Sequence, residues 1–194
     1  NGIFPELSDE TGAPNQKFVV KMQMIKLQDI EEMITKMFDD EAPPNLYFHN
    51  SSLVRNISNQ VEILSRAENL PDEEFINLKL ASVFLLTGFI SDYEKPMEAS
   101  LRLVEEILPR YGFNQENIES TKKIIKNSFI GHQESLSDNI LHDARYDYLG
   151  RVDYLILSDK LLRERTEYGK HSDNKTWIEI QQKQLSDHEF ITNT

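Results

Sequence analysis

The chain has 194 residues, no cysteine and a formal net charge of -12. That length suits one domain with a sizeable core. The missing cysteines exclude disulfides, thiolate metal sites and a cysteine nucleophile, and the negative charge disfavours nucleic-acid phosphates and anionic membranes as partners. With 39% hydrophobic and 28% charged residues the chain is too apolar for disorder, and no apolar run approaches a membrane span.

Residues 1–16, with Gly2, Pro5, Gly12 and Pro14, read as a flexible arm or linker. The start at Asn1-Gly2 rather than Met reads as a processed chain or a piece of a longer protein. A first helix, within residues 17–44, is predicted from Val20, Met24, Leu27, Ile30, Ile34 and Met37, which recur at three- and four-residue steps from Phe18 to Phe38. Pro43 and Pro44 stop it. A second helix starts at Ser51 or Ser52 and runs to Glu68, with Leu53, Ile57, Val61 and Leu64 on its apolar face. Pro71-Asp72-Glu73-Glu74 then suits a helix start, because proline fits the first turn and acids favour the positive end of the dipole.

The predicted helix continues through Phe89 and is apolar on most sides, at Leu78, Leu80, Ala81, Val83, Phe84, Leu85 and Leu86. Such a helix belongs in the middle of a bundle. Further helices are expected over 95–111, 117–129, 137–148, 153–165 and 176–188, the last with Trp177, Ile180 and Leu185 apolar. No stretch alternates with period two, and no glycine-rich phosphate loop is present. The reading is all-α: one bundle of about eight helices, with residues 45–194 as its main domain.

Four blocks between Leu46 and Thr192 resemble the HD-domain phosphohydrolase superfamily. Leu80-Ala81-Ser82-Val83-Phe84-Leu85-Leu86-Thr87-Gly88-Phe89-Ile90, followed by Ser91-Asp92-Tyr93-Glu94, is similar to LAALF-HD-TGYIxxYE, with Leu85-Leu86 at the His-Asp pair. Phe48-His49-Asn50-Ser51-Ser52-Leu53 resembles YHNxxHT, with Leu53 at the second histidine. Pro96 and Met97 fall where relatives carry a histidine and an acid. Leu141-His142-Asp143-Ala144-Arg145 continues through Gly150-Arg151 and resembles LxDADLDYLGR; Asp143 matches the last metal aspartate and Arg145 replaces an acid. Residues 177–192 resemble a WxxxQxxFLxxHxYxT tail through Gln181, Leu185, His188, Phe190 and Thr192.

The resemblance implies a fold in which two histidines and two aspartates hold a divalent metal that activates water on a phosphate ester. Here Leu53, Leu85 and Leu86 occupy three of those positions and only Asp143 survives. The expectation is a degenerate domain, more a pseudo-phosphohydrolase than an enzyme, with no metal and no cofactor, its old centre filled as core. It would serve as a binding or regulatory module. Its partner would be a nucleotide-like or phosphate ligand, a neighbouring domain or protein, or a second copy in a homodimer, in the cytoplasm and without nucleic acid or membrane. The competing expectation is an active metal-dependent phosphohydrolase with an unconventional metal site.

The residual family-site positions are His49, Asn50, Asp143 and Arg145. His49 reads either as a ligand-binding group or as a helix-entry residue hydrogen-bonded to backbone. Arg145 reads either as a structural partner of Asp143 or Asp147, or as an anion contact in a residual cleft. His132 and His171 read as exposed, and His188 as structural. The helix over 18–38, outside the resemblance, is a candidate cover for the cleft.

Overall fold

The computed structural model describes residues 16–193, so the expected arm lies almost wholly outside the described residues. Among them every regular element is helical: α1 (Gln16–Glu41), α2 (Ser51–Ala67), α3 (Asp72–Phe84), α4 (Pro96–Ile107), α5 (Gln115–Ile130), α6 (Leu136–Tyr146), α7 (Tyr154–Glu167) and α8 (Asn174–Asp187). The all-α reading therefore holds, in one bundle. Short 3-10 turns follow α3, α4 and α6. None of the helices is long and apolar enough to cross a membrane.

Helix α3 is the axis of the bundle and touches α1, α2, α4, α5 and α6. Its apolar surface explains this position. Leu78, Leu80, Val83, Phe84 and Leu85 are wholly buried, and each such side chain contributes roughly 1.5–3 kcal/mol. Helix α1 contributes Leu27, Ile30, Ile34 and Phe38 to the same core, while Met24 on the predicted stripe stays exposed. Helices α7 and α8 are packed more thinly. Trp177 is buried, but Ile180 and Leu185 are not, and Val152, Leu155, Ile156 and Ile178 stand outward.

The third helix ends at Phe84, five residues before the expected Phe89, and continues as a 3-10 turn over Thr87–Ile90. The cause is a set of competing hydrogen bonds. Thr87 Oγ1 donates to the Phe84 carbonyl at 2.8 Å. Ser100 Oγ, from α4, accepts the Gly88 N–H at 2.9 Å and donates to the Leu85 carbonyl at 3.2 Å. The interrupted ladder is thereby satisfied by a side chain. Gly88 is required at this joint, because a Cβ there would lie 1.8 Å from the Pro96 carbonyl oxygen. The Thr-Gly of the resemblance thus has a mechanical reason: it lets the end of α3 lie against the start of α4.

Candidate functional site

The three leucines at the lost-ligand positions do not share one environment. Leu85 is wholly buried in the core, while Leu86 at 2% and Leu53 at 9% exposure form part of the floor of a cleft. That cleft encloses about 480 Å³. These positions, expected to be filled as core, are therefore only partly so. The cleft's walls come from Phe48 and His49 before α2, α2 itself, the 3-10 turn after α3, α6, α7 and α8. Helix α1 lines none of it, so the cover comes from the C-terminal helices through Trp177, Ile180, Gln181 and Gln184. Gln181 and Trp177 are fixed to α7: Gln181 Oε1 accepts from Tyr154 and Ser158, and Trp177 Nε1 donates to Ser158 Oγ at 3.0 Å.

On one wall His49 is clamped. Its Nδ1 pairs closely with Glu164 Oε1, and its ring lies flat on Phe89, centroids 3.8 Å apart. Glu164 is wholly buried on α7. Its other oxygen accepts the backbone N–H groups of Phe48 at 2.8 Å and His49 at 3.0 Å, and Tyr93 donates its hydroxyl to Oε1 at 3.1 Å. Burial pushes the Glu164 carboxyl up, but the donors from His49 and the two amides outweigh it and hold it below the ordinary value. Burial holds His49 below its ordinary value against the pull of Glu164, and the Arg145 charge adds to that lowering. The pair is thus a neutral imidazole donating Nδ1–H to a carboxylate. The nitrogen left for a ligand is Nε2. His49 is thus tied at the helix entry by a carboxylate side chain rather than by backbone, and it lines the cleft.

Arg145, on α6, lines the same cleft. Neither expected carboxylate pairs with it. Its Nη1 donates to the Ser128 carbonyl at 2.8 Å and to Ser128 Oγ at 3.2 Å, and its guanidinium lies 5.2 Å from the Phe129 ring centroid. Burial depresses its pKa, Tyr146 and Tyr148 offset part of that, and a guanidinium stays protonated in proteins. Arg165, one residue after Glu164, also lines the cleft; its Nε is buried and has no hydrogen-bond partner among the described residues. Lys170 stands at the mouth, 3.5 Å from Glu94 and over the Tyr93 ring. The cleft thus gathers cations on a chain of net charge -12. A larger groove of about 820 Å³ lies between α1 and α2, but Lys79 there faces Glu31 and Glu62.

Asp143 and Asn50 serve the fold. Asp143 is 3% exposed and accepts the Ile191 N–H, the Thr192 N–H and the Thr192 hydroxyl. It holds the tail beyond α8, where His188 stacks on His142, meets Phe190 edge-on and lies beside Tyr146. Asn50 caps α2, its Oδ1 accepting from Ser52 and Leu53 N–H groups. His132 is exposed, as expected. Among the described residues no group of His, Asp and Glu side chains is placed to hold a metal.

Sequence reasoning missed Glu164, Arg165, Tyr93 and Lys170. The Arg163-Glu164-Arg165 run reads as a solvated face. The signal was in the phase: Leu157, Leu161, Glu164 and Tyr168 follow four-, three- and four-residue steps, which puts Glu164 on the inward stripe of α7. Comparison of the chain with family models, with curated proteins and with solved structures found no match.

Proposed function

We propose that this chain is a degenerate HD-type domain that binds a small phosphate-bearing ligand of nucleotide-like class, as a binding or regulatory module without metal-dependent hydrolysis. Arg145 carries the reading. A part-buried cation without a carboxylate carries a desolvation cost, and its bonds to Ser128 offset only part of that. An anion entering the cleft supplies the missing charge, and Arg165, which lines the same cleft, adds a second guanidinium. Guanidinium groups suit phosphate oxygens because their donors match the oxygen spacing. The aromatic rings of Phe89, Tyr93, Tyr146 and Trp177 give the same cleft apolar surface for the remainder of such a ligand. The departures from the resembled motif fit this reading together, since Arg145 stands where the family places an acid.

Titration calorimetry with inorganic phosphate and with a set of nucleoside mono- and diphosphates, in the presence of a chelator, tests it. Saturable binding that Arg145→Met and Arg165→Met each weaken at least about tenfold is expected. Absence of binding, or binding indifferent to both substitutions, overturns it.

A further inference from the structure

We infer that His49 is the proton-carrying contact of the cleft: its Nε2 takes up a proton when an anion binds and donates it as a hydrogen bond, so that anion affinity is coupled to proton uptake at this one side chain. The inference rests on the anion-binding reading of the cleft. It adds which residue meets the ligand besides the arginines, and how pH controls occupancy.

The geometry is specific. Glu164 holds Nδ1, and the Phe89 ring fixes the plane of the imidazole. With Nδ1 engaged by Glu164, the titrating position is Nε2 of a ring that lines the cleft. The groups around His49 come from each element packed on it. Glu164 meets it from α7, Phe89 and Tyr93 from the segment after α3, and the Arg145 charge acts on it from α6, while Arg165 and Tyr148 line the same cleft. Lys170 and Glu94 stand farther out at the mouth. Without an anion, burial and the Arg145 charge keep the imidazole neutral. An anion between Arg145 and His49 reverses the second of these influences. It neutralises the repelling guanidinium and accepts a hydrogen bond that only the protonated ring can give. By linkage, a ligand that favours the protonated ring binds more tightly as protons become available. Tyr93 and Tyr148 are both raised, Tyr148 to about 12, so neither competes near neutral pH.

Sulfate is the probe, because it keeps its charge across the range in which histidine titrates. Its binding to the full chain is measured by calorimetry from about pH 8 to about pH 6, in Tris and Bis-Tris, whose different ionisation enthalpies report proton uptake. The expected result is an affinity at least about fivefold higher at the acid end, with net proton uptake. His49→Gln keeps an N–H donor for Glu164 but cannot titrate; it should bind sulfate with a flat pH profile. His142→Gln, at a histidine outside the cleft, should keep the slope. Sulfate binding with no pH dependence, or an unchanged slope in His49→Gln, overturns the inference and leaves the anion reading standing. No binding at any pH overturns both. If His49→Gln does not fold, the proton uptake of the unsubstituted chain in the two buffers decides: none observed overturns it.

Discussion

Thr192 donates twice to one oxygen of Asp143: its backbone N–H and its hydroxyl both reach Oδ2 at 2.7 Å. With Ile191 N–H on the same carboxylate, the remaining aspartate of the resembled metal set is committed to the tail of the chain. Charge-assisted hydrogen bonds of this kind contribute about 1.5–3 kcal/mol. Asp143→Ala is expected to lower stability by about 2–3 kcal/mol and to deprotect the amides of residues 191 and 192 in hydrogen exchange. Protection unchanged in the variant would show that the tail is held by its aromatic stack alone.

The same commitment bears on metal. A carboxylate engaged by three donor groups, with leucines at the companion positions, has little to offer Mn²⁺ or Zn²⁺. After dialysis against either ion, followed by metal-free buffer, no stoichiometric metal should remain by elemental analysis. Retention of one ion per chain, abolished by Asp143→Ala, would sink the degenerate, metal-free reading.

The two leucines at the end of α3 separate by environment. Leu85→His puts an unpaired imidazole into the core and should cost about 3 kcal/mol or more in denaturant unfolding. Leu86→Asp places its carboxylate at the floor of a cationic cleft and should cost less than Leu85→His. Equal losses would mean that the cleft gives no electrostatic relief at Leu86.

Gly88→Ala tests the joint between α3 and α4. The added Cβ would meet the Pro96 carbonyl at 1.8 Å, a backbone clash that only a shift of one helix relieves. A loss of about 2–3 kcal/mol is expected in thermal or denaturant unfolding. A neutral result would mean that the Ser100 hydrogen bonds tolerate a wider gap.

Acid should destabilise the chain in two steps. The His49 imidazole is held below its ordinary value, so as pH falls the unfolded chain binds its proton first. The stability from this group is complete above about pH 6.5 and is lost as pH falls through the folded value. His142, lowered by burial and by His188, acts with the same sign. Glu164, also lowered, keeps its contribution above about pH 4.5 and loses it in the more acid window. Melting temperature followed from neutral to acid pH should therefore fall in an upper and a lower range. His49→Gln should reduce the upper fall, and Glu164→Gln the lower.

The helices were legible in the sequence because their determinants are local. Three- and four-residue spacing gave α1 and α2, Pro71 with its acids gave the start of α3, and the apolar girth of α3 gave its central place. What stayed hidden depends on partners far along the chain. The end of α3 is set by Ser100 on another helix. The role of Asp143 depends on Thr192, and that of His49 on Glu164, across most of the domain. Arg145 was visible as a departure from the resembled motif, but its partner was not, because a backbone carbonyl such as that of Ser128 leaves no trace in residue identity.

Glu164 joins two duties in one carboxylate. One oxygen receives the amides that begin the entry to α2, and the other steers the ring of His49. Because it sits on α7, any motion that lifts α7 and α8 to widen the cleft also releases the imidazole and strips the α2 entry of its acceptor. The placing of α7, the entry to α2 and the orientation of the histidine therefore hang on one buried carboxylate.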